Sequence, residues 1–220
     1  MRNAYNEQLQ TLHREMTEMG SMCENAVSLA IQAVTKGQME LSDRVYEVDS
    51  GIDKKERDIE SLCLKLLLQQ QPVATDLREI SAALKMISDL ERIGDQASDI
   101  AEMACFTDGG EDKCSSDLRE MAKETVKMVN ESIDSFVKKD LVMARDVISY
   151  DAVVDRWFER IKKDLITSIS EDNTRGEYYL DLLMVAKYLE RIGDHATNIA
   201  EWVEYSILGK RSKDGVMMGE

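Results

Sequence analysis

Carboxylates spaced four residues apart are the groups in this sequence best placed to do chemistry together. Glu91, Asp95 and Asp99 step by four through Leu90-Glu-Arg-Ile-Gly-Asp95 and its continuation, and Glu190 and Asp194 do the same in Leu189-Glu-Arg-Ile-Gly-Asp194. Upstream of each stretch stands another such pair, Asp49 with Asp53 and Asp151 with Asp155. Successive residues of an α-helix are rotated by about 100°, so acids four apart drift by only about 40° and form one stripe. Like charges at that spacing repel by a few tenths of a kcal/mol per pair. Gly94 and Gly193, in the middle of the two stretches, each cost on the order of 0.5–1 kcal/mol relative to alanine in a helix. Penalties kept in both copies need an offset: a bound cation for the acids, and a close approach of a neighbouring element for the glycines.

Oxygen-only ligand sets of this kind suit hard cations such as Mg²⁺, Mn²⁺ or ferric iron, and zinc also accepts carboxylates. The metal reading takes Asp49, Asp53, Glu91 and Asp95 as one group and Asp151, Asp155, Glu190 and Asp194 as the other. The competing reading is of solvated acids paired with Lys54, Arg57, Arg92 or Arg191, and spacing alone leaves both open. A di-iron carboxylate oxidase fits less well, because that site needs Glu-x-x-His on its helices and His195 lies five residues after Glu190. His195 reads as a hydrogen-bonded side chain at a helix seam, and His13 as a surface residue. The sequence contains no Gly-rich phosphate loop, nucleophile elbow or Cys/His pair, so no catalytic machinery can be assigned and an enzyme is not expected.

The elements that must position these acids follow from hydrophobic periodicity. Glu190 stands 99 residues after Glu91, an internal repeat that uses one architectural unit twice in 220 residues. Met86, Leu90, Ile93, Ala97, Ile100 and Ala104 recur at steps of three and four, which predicts a helix through the first signature. The same periodicity predicts helices over about 4–36, 39–71, 75–106, 116–139, 140–170 and 175–208, with Pro72 ending the second. The expected fold is all-α: two tandem, pseudo-equivalent three-helix bundles, six long helices in all. Leu12, Val27, Ile52, Leu66, Ile93, Val154, Leu165 and Ile192 are the expected core. Residues 1–107 form the first unit and 112–209 the second, joined by the polar stretch Thr107–Asp112; the aperiodic residues 210–220 read as a frayed tail. Asp151 lies 102 residues after Asp49, so the connection between the second and third helices must be three residues shorter in the second half.

Composition narrows the function classes. Twenty-eight Lys and Arg against 43 Asp and Glu give a net charge of −15, which opposes any extended contact with a nucleic-acid backbone. The four cysteines form no C-x-x-C pair and read as reduced, largely packed thiols of a cytoplasmic protein. No run reaches the roughly 18 apolar residues of a membrane span, so membrane contact is expected only through partners.

Pro72-Val-Ala-Thr-Asp-Leu-Arg78 leading into Asp89-Leu-Glu-Arg-Ile-Gly-Asp95, with Leu189-Glu-Arg-Ile-Gly-Asp-His-Ala-Thr-Asn-Ile-Ala-Glu201, resembles the PhoU family of phosphate-signalling regulators over roughly residues 5 to 208. The resemblance implies a cytoplasmic adaptor without enzymatic activity. Such an adaptor works with the Pst phosphate transporter, through its ATPase subunit, and with a PhoR-type sensor histidine kinase, as a negative regulator that keeps the phosphate-starvation response off. It also implies multinuclear metal binding through the eight acids named above, with iron, zinc, magnesium and manganese all open, and a homodimer. Asp99 is matched by Asn198, so the two sites are expected to differ in charge. An accessory protein of a different phosphate carrier and a helical-bundle metalloenzyme are the alternatives.

Overall fold

A computed structural model describes residues 2–69, 73–106 and 113–210. They form six helices: α1 (Arg2–Lys36), α2 (Glu40–Gln69), α3 (Ala74–Glu102), α4 (Lys113–Lys138), α5 (Leu141–Glu171) and α6 (Gly176–Leu208). No strand occurs among the described residues. Short 3₁₀ turns follow α3 (Met103–Phe106) and precede α6 (Asn173–Arg175). Pro72, the stretch Thr107–Asp112 and residues 211–220, to which a helix stop, a linker and a frayed tail were ascribed, lie outside the described residues.

The helix ends carry the duplication at atomic level. Gly37 takes a left-handed φ of 62°, and the Gln38 amide bonds back to the Ala33 carbonyl at 3.0 Å, closing the end of α1. At the end of α4, Lys139 takes φ 54° and the Asp140 amide reaches the Ser135 carbonyl at 2.9 Å. Each of these positions is 102 residues after its counterpart. Asp140 then caps α5, accepting from the amides of Val142 and Met143 at 2.9 and 3.1 Å.

Helices α1–α3 make one bundle and α4–α6 the other, and α1 and α3 of the first pack on α4 and α6 of the second. The two signature helices α3 and α6 therefore run through the centre, while α2 and α5 flank it. The expected core residues from Leu12 to Ile192 are all buried. Gly20 brings α1 against α4 so closely that a Cβ there would fall 2.1 Å from the Ile133 side chain.

The expectation for His13 is overturned. Its Nε2 lies 2.7 Å from Oε1 of the buried Glu79, its ring meets Phe136 edge-on, and Lys139 bonds the other Glu79 oxygen at 2.8 Å. A periodicity argument within α1 misses this, because the second bundle covers a face that the first leaves polar.

Candidate functional site

Each half has an acidic groove between its flanking helix and its signature helix. In the first, Gly94 is buried and makes room for Asp49: a Cβ at Gly94 would fall 2.5 Å from Asp49 Oδ1 and 3.1 Å from Ile52 Cδ1. The glycine is thus the close approach that its helix cost implies. Ser98 donates to Asp49 Oδ2 at 2.8 Å, while Oδ1 is shielded from solvent and has no hydrogen-bond partner. Burial raises the Asp49 pKa; the Ser98 hydroxyl opposes this, and Asp95, Asp53 and Asp99 add to it. Glu91 is likewise raised by burial and then by Asp95, against the pull of Arg92. Arg92 spans the rim, 2.9 Å from Asp95 and 3.4 Å from Glu91.

The second groove repeats this plan more loosely. A Cβ at Gly193 would meet Val154 at 3.4 Å and Asp151 Oδ1 at 3.5 Å, ordinary van der Waals contact. Thr197, 99 residues after Ser98, is buried near Asp151; its hydroxyl lowers the Asp151 pKa yet makes no full hydrogen bond. Burial, followed by Asp155 and Asp194, pushes the Asp151 carboxyl up to about 6. Asp194 is raised by burial and by Glu190, and Lys187 opposes the rise while bonding Glu190.

Asp49, Asp53, Glu91 and Asp95 thus share one electrostatic neighbourhood, as do Asp151, Asp155, Glu190 and Asp194. Among the described residues, however, no three Asp, Glu, His or Cys side chains are arranged around a common ion position. The acids line the grooves without forming a finished cage, and Arg92 and Lys187 hold some of them from the side. The donor set still suits a hard cation, and Asp49 Oδ1 is a buried anionic oxygen that a cation would satisfy. The contributions of Ser98, Thr197 and Lys187 were missed from sequence, although the 99-residue repeat places Ser98 and Thr197 at one position.

The seam between α3 and α6 joins the two grooves. His195 Nδ1 lies 2.9 Å from Asp89 Oδ1, and Asn198 donates to the same oxygen at 3.3 Å. His195 is therefore a seam residue, as its position on α6 suggests.

The PhoU domain model matches the chain twice, over residues 16–104 and 118–203. The chain belongs to the PhoU family. A PhoU homologue of Pseudomonas aeruginosa, called a phosphate-specific transport system accessory protein, is 35% identical over 207 residues, covering 93% of this chain and 86% of its own. One from Clostridium acetobutylicum is 34% identical over 212 residues, 96% of this chain and 97% of its own. The crystal structure of PhoU from P. aeruginosa superposes with a TM-score of 0.86, covering 94% of this chain and all of that one. PhoU of Streptococcus pneumoniae, described as a phosphate transport system regulatory protein, shares the fold at TM-score 0.84 and 22% identity, covering 94% of this chain and 98% of its own. These PhoU proteins are accessory and regulatory proteins rather than enzymes. No described helix of this PhoU-family chain is long and apolar enough to cross a membrane.

Proposed function

We propose that this protein is a cytoplasmic accessory protein of a Pst-type phosphate transporter and a negative regulator of the phosphate-starvation response. It acts by contact with the transporter ATPase and a PhoR-type sensor histidine kinase. The observation that carries the reading is near full-length relation, on both sides of the alignment, to accessory proteins of the phosphate-specific transport system. A strongly acidic chain with no described membrane-spanning helix must reach such a transporter through its subunits. The two acidic grooves are the proposed sites for iron, zinc, magnesium or manganese. Asp49, Asp53, Glu91 and Asp95 would hold metal in the first, and Asp151, Asp155, Glu190 and Asp194 in the second. A bound cation would supply the countercharge these acids lack and draw α2 toward α3 and α5 toward α6.

The test is a reporter on a phosphate-starvation promoter in phosphate-rich medium. Deleting this gene should raise reporter activity at least several-fold, and restoring it should return repression. Unchanged repression in a strain with no second copy of the gene would reject the regulatory reading.

A further inference from the structure

Helices α1 and α4 run antiparallel across the boundary between the halves and meet at Gly20, whose missing Cβ makes room for the Ile133 side chain. Just beyond this contact Asn130 donates to Glu24 at 3.0 Å. The cap bonds relate α1 to α4 by 102 residues, so the pair equivalent to Gly20 and Ile133 is Ala122 and Ile31. There the helices do not close. A cleft of about 320 Å³ lies between them, lined among others by Val27, Ile31, Arg119, Ala122 and Val126. One repeated contact is thus tight on one side of the crossing and open on the other.

The tight side carries a charged tie between the halves. Glu79 of α3 is 4% exposed; His13 Nε2 lies 2.7 Å from one of its oxygens, and Lys139, from the second half, donates to the other at 2.8 Å. Burial raises the Glu79 pKa, but the bonds from His13 and Lys139 outweigh it and bring the carboxyl below its usual range, so it is held charged. Lys139 makes its bond from a left-handed backbone, which glycine adopts freely and lysine does not; at the equivalent position α1 ends on Gly37. A strained residue standing where the other copy of the repeat has glycine points to a task for its side chain, and that side chain reaches across to the first half. By the 102- and 99-residue offsets, the equivalents of Lys139, Glu79 and His13 are Gly37, Tyr178 and Ser115, which cannot form such a tie on the open side. Nor is the tie close-packed. A cavity of about 160 Å³ borders it, lined by Thr75, Phe136, Ser206 and Ile207 as well as by Glu79 and Lys139, and the Lys139 side chain is 55% exposed. The ammonium can therefore leave without a core side chain having to move.

We propose that Lys139 and Glu79 latch the two halves at one end only, and that releasing the latch lets the halves rock about the Gly20–Ile133 contact, the latch end opening as the α1–α4 cleft narrows. At about 1.5 Å per residue, α1 extends roughly 10 Å from Gly20 to His13 and roughly 24 Å from Gly20 to Lys36, so the cleft end moves more than twice as far as the latch. Such a motion is a property of the chain alone and is independent of the regulatory reading.

The test measures electron–electron distances between nitroxides at Lys36→Cys and Ser116→Cys, exposed positions at the cleft end of α1 and α4, in the full chain carrying Cys105→Ser; the remaining cysteines are buried. The latched parent should give one narrow distribution. Lys139→Gly, which restores the residue type of Gly37, and Lys139→Met, which keeps the stem and loses the charge, should both shift the mean to shorter distance by about 3–5 Å, the lever's magnification of a roughly 2 Å opening at the latch. Lys139→Arg keeps a charged donor and should keep the parent distance. A second label pair within the first half, Ser28→Cys with Lys54→Cys, should not move in any variant. An unchanged Lys36–Ser116 distance in Lys139→Gly and Lys139→Met overturns the proposal. So does a change at the control pair, which would mean local unfolding in place of rocking, and so does an equal shift in Lys139→Arg, which would assign the effect to packing and not to the ionic tie.

Discussion

The two acidic grooves come from one repeated plan and differ in how firmly their central carboxylate is held. Asp49 is clamped: Gly94 lies beneath it at a distance no Cβ could occupy, and Ser98 donates to it. Asp151 sits over Gly193 with room to spare, and Thr197 gives it no full hydrogen bond. Burial raises both carboxyls; for Asp49 the Ser98 hydroxyl is the main opposing influence, whereas Asp151, with Asp155 and Asp194 adding to burial ahead of any relief from Thr197, is pushed up to about 6. Two grooves with the same helix spacing and glycine positions thus differ in the balance between a hydrogen-bond donor and neighbouring carboxylates at their central acid.

The sharpest way to break this comparison is to add a methyl group at each glycine. Gly193→Ala should gain up to about 1 kcal/mol, since helix propensity improves and nothing must move. At Gly94 the same change must turn Asp49 out of its seat and press on Ile52, so it should cost about 1 kcal/mol net, the overpacking exceeding the propensity gain. Denaturant melts of the two variants should therefore move in opposite directions. Equal shifts would mean that the grooves are not differently packed.

Titration sharpens the same point. A carboxyl whose pKa is higher in the folded than in the unfolded chain favours folding while protonated, and that contribution is lost as pH rises through its folded value. For Asp151 the window runs from about 3.8, its ordinary value, to about 6. Asp151→Asn should therefore gain stability over the parent across this window and stay ahead above it. Solvent on the open side of the groove limits the gain to about 1 kcal/mol. Melts at pH 4, 5, 6 and 7.5 measure it, and a difference that does not grow with pH contradicts the assignment. The smallest effect belongs to Ser98→Ala, which should raise the Asp49 pKa toward that of Asp151 and cost about 0.5–1 kcal/mol. Carboxyl NMR of the parent and variant resolves it.

Much of the architecture was legible because it rests on patterns local to the chain. The 3.6-residue periodicity placed six helices and buried residues such as Ile52 and Ile192, and the repeat gave the three-plus-three arrangement. The paired glycines announced close helix contacts, and for Gly94 the neighbour is the carboxylate of Asp49 itself. What the chain could not announce depends on packing between the halves. His13 meets Glu79 of α3, and Phe136 of α4 and Lys139 in the turn after it close over the pair from the second half. That the acids line one groove in each half was legible from their spacing; their side-chain directions, which Arg92 and Lys187 influence through local bonds and which bring no three of them around one ion position among the described residues, were not.

The claim on which the site rests most directly is that the grooves are cation sites loaded half by half. Elemental analysis of the purified protein, of Glu91→Ala with Asp95→Ala, and of Glu190→Ala with Asp194→Ala measures it. Each double variant should lose the metal of its own half and keep that of the other. Equal metal content in all three proteins would contradict the account.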